Sequence, residues 1–195
     1  MYCNRGYCTM SLMSWILLSS RVPREPTRLR LAIWRRLKRL GAVLIHDAVW
    51  ILPADARTRE AFEWLAEEIE EQGGTVWVWE GAGLSPAQDQ ETIELFRDEA
   101  NARYAEIGAS AEAIRKVMLR RRSGARRRSL SPAALAHAER QLRGLQRALR
   151  LERRRDYFRA DGRTQAEAIL KQALAAVAAL APAPAREGAR RAVGD

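Results

Sequence analysis

The chain has 195 residues, with 34 Lys or Arg against 24 Asp or Glu and a formal net charge of +10. This length accommodates one sizeable core, or one domain with a helical appendage, and disfavours a second full-size domain. The excess of positive charge favours anionic partners, namely nucleic acid, a negatively charged membrane surface or small oxyanions, and does not specify the fold.

The N-terminal residues 1–13 precede any patterned structure and contain the only cysteines, Cys3 and Cys8. A Cys-x4-Cys pair could bind a soft metal or respond to oxidation, but an unstructured leader is the simpler interpretation. The apolar run within 10–20 is too short to span a membrane, and no signal-peptide cleavage site precedes it. We therefore expect a cytoplasmic protein that does not associate with membranes.

Residues 14–40 predict a strand followed by an amphipathic helix. The apolar run 14–20 has the length of a buried strand. Thr27 can cap the helix and Gly41 can end it. On the helical wheel, a narrow stripe of basic side chains lies opposite the apolar side. This stripe consists of Arg28, Arg35 and Arg39, with Arg36 and Lys38 nearby.

The next segment predicts a hairpin, a helix and a strand. Apolar stretches flank His46 and Asp47, as in a tight hairpin, and Pro53 closes it. Residues 55–74 have helical apolar spacing and an acidic outer face, and 75–80 alternate as a strand does. The order strand, helix, strand, strand, helix, strand over 14–82 predicts an α+β, ferredoxin-like βαββαβ domain.

The remaining chain is rich in Ala, Arg, Glu and Leu and shows no strand pattern. We expect helices over 87–121, 131–157 and 164–181, forming a helical segment 87–181 that packs on the sheet or on a partner chain. The tail 182–195 lacks an apolar period and is predicted to be disordered.

No group of residues in the sequence has the pattern of a catalytic or metal site. His46 and His137 are the only histidines, and neither lies at ligand spacing from another His or Cys. The glycine-rich turns lack the spacing of a nucleotide-binding loop. We therefore expect no cofactor and no metal, and a protein that is not an enzyme.

Trp77 and Trp79 alternate along the last predicted strand, so their side chains point to the same face. Aromatic side chains on an open sheet can stack nucleic-acid bases. We favour burial instead, under the C-terminal helices or in a dimer contact, because two bare tryptophans form a large exposed apolar patch.

A second basic cluster follows near the middle of the chain and is denser than the first. Like charges at this density repel one another, so a bound anion is favoured, and each phosphate contact would add salt-dependent affinity. A solvated loop is the alternative. The cluster consists of Arg115, Lys116, Arg120, Arg121, Arg122, Arg126, Arg127 and Arg128.

The pieces "WILLSS", "RLAIWRRLKRLGA", "AVWILP", "EEIEEQGGTVWVWE" and "LRLERRRDYF" occur in the order seen in a known family. With the proline-containing loop after the first strand, they resemble the N-terminal domain of ChrB, the chromate-resistance regulatory proteins of bacteria. The resemblance covers about 14–180. It implies a role beside a chromate efflux transporter, as a chromate-responsive transcription regulator.

Two other families are similar in pattern, the phenylacetate-pathway repressors and the small ferredoxin-like nucleases of the CRISPR adaptation system. No winged-helix segment precedes the first strand here, unlike in the repressors. Ser19 and Ser20 stand where the nucleases have a metal-binding Asp at the end of that strand, which disfavours nuclease chemistry.

Together, residues and resemblance predict a cytoplasmic regulator or accessory protein of chromate resistance, acting as a homodimer. The arginine clusters would bind DNA phosphates or the chromate oxyanion, since guanidinium groups form paired hydrogen bonds with such anions. One alternative is a dimerisation or interaction module that does not bind DNA and works with a separate ChrB-type domain. A metal-dependent nuclease is the disfavoured alternative.

Overall fold

The computed structural model describes residues 13–23, 27–123 and 131–180. The predicted leader with Cys3 and Cys8, apart from Met13, and the predicted tail 182–195 lie outside these residues. The described elements, in chain order, are β1 (Ser14–Arg21), α1 (Thr27–Leu40), β2 (Val43–His46), β3 (Val49–Pro53), α2 (Ala56–Glu71), β4 (Thr75–Ala82), α3 (Pro86–Ser123), α4 (Pro132–Arg155) and α5 (Gly162–Ala178).

The four strands form one sheet in the order β2-β3-β1-β4, with antiparallel neighbours. Strand β1 is central, and Leu18 lies opposite Trp50 on one side and Val78 on the other. Each helical connection therefore skips one strand, because β3 separates β1 from β2 and β1 separates β3 from β4. The predicted α+β class is confirmed.

Consecutive buried residues of the central strands, which lie on both faces of the sheet, belong to one core with the apolar stripes of α1 and α2. In α2 the spacing of Phe62, Leu65 and Ile69 places three fully buried side chains on one face. A capping box begins this helix, since Asp55 accepts from the Thr58 backbone N–H at 2.7 Å and its own N–H donates to Thr58 Oγ1 at 2.9 Å.

Tight turns connect these elements as the sequence predicts. Gly41 has φ +82° directly after α1, a conformation that favours glycine, and the N–H of Ala42 donates to the Leu37 carbonyl at 3.1 Å. The hairpin between β2 and β3 turns at Asp47, which also has a positive φ. Both turn predictions are confirmed.

An aromatic cluster joins the beginning of α3 to the sheet. Trp15 stacks on Phe96 with ring centroids 5.9 Å apart, and Phe158 contacts both rings. The buried Asp89 accepts from Trp15 Nε1 at 2.7 Å and from the Met13 N–H at 2.9 Å. These hydrogen bonds satisfy a carboxylate that burial would otherwise make costly.

The described residues form two compact units. The first contains the residues up to Tyr104 together with Arg150–Arg163, and the second contains Ala105–Leu149 and the residues from Thr164 onward. The second unit has its own core, since Leu135, Ala138 and Leu142 are buried at helical spacing. The division between 82 and 87 drawn from the sequence remains a prediction.

The three predicted C-terminal helices are present as α3, α4 and α5, with ends shifted by one to three residues. Within the described ranges, no helix combines the length and the apolar character needed to cross a membrane.

Burial of Trp77 and Trp79 was predicted either under the C-terminal helices or in a dimer contact; the first alternative is wrong, and the second stays a prediction. Their exposures are 63% and 53%. The register places them on the face of the sheet that carries Trp15. On that face the aromatic rings of Phe96 and Phe158 pack against Trp15, while β4 lies at the sheet edge.

Candidate anion-binding surface

The first compact unit carries a basic surface with two concavities along α1 and the end of α4. One has a volume of about 480 Å³, and its basic lining residues are Arg35, Lys38, Arg39 and Arg155. The other has about 160 Å³, and Arg39, Arg57, Arg154 and Arg155 contribute its basic lining. We call the residues Arg35, Arg39, Arg57, Arg154 and Arg155 the arginine surface.

The end of α4 is fixed to α1 by hydrogen bonds to the carbonyls of the last helical turn. Arg155 Nη1 donates to the Lys38 carbonyl at 2.7 Å, and the Tyr157 hydroxyl donates to the Leu40 carbonyl at 2.8 Å. Such carbonyls have no partner within their own helix. Residues far apart in sequence are thereby held side by side.

A partly buried ionic network around the buried Glu152 supports this contact. Glu152, with 1% of its side chain exposed, accepts from Arg155 Nε at 2.6 Å and from Arg103 Nη1 at 3.4 Å. Arg103 also pairs with Glu99 at 2.7 Å, and Glu99 accepts from Lys38 Nζ at 2.8 Å. Arg155 and Lys38 each have a carboxylate partner and hold the surface together, while the network of three cations and two carboxylates keeps one net positive charge.

The other arginines of this surface differ from Arg155 in their contacts. Arg35, Arg39 and Arg154 are exposed and form no ion pair with any described residue. Arg57 lies over the Tyr157 ring at 5.6 Å and donates to its hydroxyl at 3.3 Å. No carboxylate is among the described residues that line either concavity. Neighbouring guanidinium groups repel one another, so an anion bound between them is favoured.

The family model of the N-terminal part of protein ChrB matches residues 30–183. The chain belongs to this family. A curated relative, protein ChrB of Cupriavidus metallidurans, is 27% identical over 105 residues, which are 54% of this chain. The matched part spans 32% of that relative, about a third of its length. No solved structure matches this chain. The predicted ChrB resemblance is confirmed, and the family match includes most of α1 and all of α3, α4 and α5.

In this ChrB-family chain, the structure brings part of the predicted α1 stripe together. Arg35 and Arg39 line one concavity, whereas Arg28 is exposed in the first turn and lines neither concavity. Arg36 points elsewhere and pairs with Glu68 on α2.

The predicted second cluster lies at the C-terminal end of α3, in the other compact unit. Arg115 and Lys116 both pair with Glu112, at 2.7 and 3.6 Å. The Arg115 hydrogen bond lowers the pKa of Glu112, and this carboxylate in turn raises the pKa of Arg115. Residues exposed at the helix end are Arg120, Arg121 and Arg122; Arg126, Arg127 and Arg128 lie outside the described residues.

The sequence reasoning missed the residues that complete the arginine surface, namely Arg57, Arg154, Arg155 and Tyr157. A local signal for most of them exists in the chain. The run Arg153–Arg155 stands two residues before Tyr157, within a stretch that already carried the ChrB resemblance. Their meeting with α1 depends on contacts across more than a hundred residues, which no local pattern encodes.

Proposed function

We propose that this chain is a cytoplasmic, chromate-responsive transcription regulator or an accessory protein of chromate resistance. It binds an anion, either DNA phosphate or chromate, through the arginine surface, and the exposed arginines at the end of α3 add phosphate contacts. Membership of the ChrB family supports the connection to chromate resistance.

One observation carries the anion-binding proposal. Arg39, Arg57 and Arg154 all line one concavity of about 160 Å³ whose described lining contains no carboxylate. Guanidinium groups bind tetrahedral oxyanions through paired hydrogen bonds, and the same chemistry holds a DNA phosphate. The hydrogen bond of Arg155 to α1, which holds the end of α4 beside that helix, supports this proposal.

We also propose that residues 14–82 form a ferredoxin-like domain. The strand order, the antiparallel neighbours and the two connections that skip one strand support this assignment. In such an arrangement α1 and α2 lie beside each other on the sheet, which accounts for the presence of Arg39 and Arg57 in one concavity.

The first test is fluorescence-anisotropy binding to the duplex upstream of the gene and to a scrambled duplex, over a salt series. Each phosphate contact contributes roughly 0.9 to the slope of log affinity against log salt. Tighter binding to the upstream duplex, weakened by chromate but not by equal sulfate, is expected of a chromate-responsive regulator. Equal binding to both duplexes, unaffected by chromate, would contradict this function.

Variants locate the binding surface. Arg39→Ala with Arg154→Ala should lower the salt slope by roughly two, and Arg121→Ala with Arg122→Ala should lower it if α3 also contacts phosphate. Arg143→Ala with Arg147→Ala is the matched control, because it removes the same charge elsewhere on the chain. An unchanged slope in the first pair would exclude the arginine surface as the DNA-binding site.

A second candidate function is that of an interaction module that does not bind DNA and works with a separate ChrB-type domain. The long exposed edge of β4, with its two bare tryptophans, favours it. A metal-dependent nuclease is disfavoured, because the end of β1 offers Ser19, Ser20 and Arg21 and no carboxylate.

A further inference from the structure

The two edges of the sheet differ in how well they are protected. Strand β2 has four residues and an irregular register against β3. Strand β4 has eight residues in continuous register with β1, and among the described residues no strand pairs with its other side. It contains no Pro and no Lys, the residues that commonly block an edge. Its free backbone groups therefore present a regular template for another strand.

One face of β4 carries two exposed tryptophans, Trp77 and Trp79. The Trp77 and Trp79 rings stack with centroids 6.2 Å apart and an interplanar angle of 16°. More than half of each side chain is exposed. Exposed aromatic groups beside an unpaired strand edge are typical of an interface with a partner.

The charge around β4 argues against nucleic acid as that partner. The stretch between Glu60 and Phe96, which contains β4, has no Lys or Arg, although the chain is strongly basic as a whole and the exposed Arg21 of β1 lies opposite Thr75 at one end of the strand. A surface that stacks the bases of a single strand also needs cations for the backbone. The one ionic group of the strand, Glu80, is already neutralised by Arg59, which donates to it from Nε at 3.1 Å. The edge is thus electrically balanced, which suits contact with an identical edge.

We propose that β4 pairs with β4 of a second copy of this chain, antiparallel, about a two-fold axis at Val78. A two-fold axis perpendicular to the sheet keeps each side chain on its original face. Trp77 then lies opposite Trp79 of the second copy, and four tryptophans form one continuous cluster. The two sheets become a single eight-stranded sheet.

The area available sets the strength of this dimer. A buried Trp removes roughly 150–250 Å² from water. At the observed exposures the four rings could bury at most roughly 350–580 Å² in total. A stable interface buries about 1,200–2,000 Å², so the strand edges must supply the rest and the dimer is a weak one. We expect a monomer–dimer equilibrium in the micromolar range.

The experiment is sedimentation velocity of the full chain from low micromolar to several hundred micromolar, in enough salt to screen the net positive charge. The weight-average mass should rise from that of the monomer toward twice that value. Trp77→Thr with Trp79→Thr, which keeps a strand-forming residue at both positions, should remain monomeric throughout. Trp64→Ser is the matched control, because Trp64 is 61% exposed on α2 and lies outside β4.

A second variant makes the test independent of tryptophan. Thr75→Lys and Gly81→Lys place charged residues at the two exposed ends of β4, where pairing about Val78 would bring them opposite each other, and circular dichroism checks that the sheet persists. Either variant should abolish association while the fold remains. A full chain that stays monomeric at every concentration would overturn the proposal, as would a dimer that survives the tryptophan double variant. Binding of a labelled single-stranded oligonucleotide, followed by the fluorescence anisotropy of its label and lost in that double variant, would assign β4 to nucleic acid instead.

Discussion

The two basic clusters of this chain differ in how their charge is concentrated. At the end of α3 the charge is dense in sequence, yet Arg115 and Lys116 are paired with Glu112 one turn away on the same helix. The arginine surface is sparse in sequence, yet folding brings α1, α2 and the end of α4 together around shared concavities. For Arg115 and Lys116, charge density along the chain therefore overstates the unpaired charge that the fold presents.

The clusters also differ in what supports them. The arginine surface is held in place by the buried carboxylate of Glu152 and by two hydrogen bonds to the end of α1. The α3 cluster depends only on its own helix for the ion pairs of Arg115 and Lys116. Changes in supporting residues should accordingly disturb the first cluster much more than the second.

The largest expected effect is that of Glu152→Gln. Gln keeps the shape but leaves the partly buried Arg155 without its carboxylate, and breaking a buried ion pair by removing one partner costs about 3–5 kcal/mol. We expect about 3 kcal/mol, because Arg103 retains its pair with Glu99. Urea unfolding followed by circular dichroism measures this change.

The matched control for that variant is Glu112→Gln, which breaks the ion pairs of the α3 cluster. These groups face solvent, where such pairs contribute little, so the urea midpoint should stay close to that of the unchanged chain. Equal destabilisation by both variants would show that the two clusters are supported in the same way.

The next effect in size is that of Gly41→Ala. Gly41 has φ +82°, and an added Cβ would lie 2.7 Å from Arg155 Cβ. We expect a loss of about 1–3 kcal/mol from backbone strain and this close contact. Gly144→Ala, within α4 and with open space around the added methyl, should instead stabilise by about 0.5–1 kcal/mol. Thermal unfolding of the two variants should show shifts of opposite sign.

A smaller effect is expected from Tyr157→Phe, which removes the hydrogen bond to the Leu40 carbonyl. The loss should be about 1 kcal/mol, the usual contribution of such a bond. Arg57→Ala removes the guanidinium above the ring but keeps this hydrogen bond. A larger loss in Arg57→Ala than in Tyr157→Phe would contradict the capping role of the hydroxyl.

Much of the fold was predictable because local chemistry determines it. The Gly41 stop, the turn at Asp47 and the apolar spacing of α2 each specify an element without long-range information. The exposure of Trp77 was not predictable, because it depends on which strand occupies the sheet edge. Strand order is set by tertiary packing, and the strand propensity of a segment does not tell whether it forms a central strand or an edge strand.

The candidate site was predictable only in part, for the same reason. Arg35 and Arg39 followed from the amphipathic pattern of α1, which depends on helical spacing alone. Arg57 and Arg154 join them through the packing of α2 and α4, and the side chain of Arg155 is fixed by a carbonyl 117 positions earlier. The pairing of Arg115 with Glu112 could have been predicted from their i, i+3 spacing, because this spacing brings two side chains together on a helix.

The smallest expected effect tests whether the ion pairs of Glu112 depend only on neighbouring residues of α3, as the structure indicates. The Arg115 hydrogen bond lowers the pKa of Glu112. A carboxyl with a lower pKa in the folded state adds stability above its unfolded pKa, and this is lost as the pH falls through the folded pKa. Because solvent reaches this pair, lowering the pH through the pKa of Glu112 should protonate the carboxyl with little change in the free energy of unfolding. A carbon-13 NMR titration of Glu112 should therefore show a midpoint below its usual range, and Arg115→Gln should raise it. If Arg115→Gln leaves this midpoint unchanged, Lys116 or a more distant cation stabilises the Glu112 carboxylate. The charges of the α3 cluster would then depend on contacts beyond the Arg115–Glu112 pair.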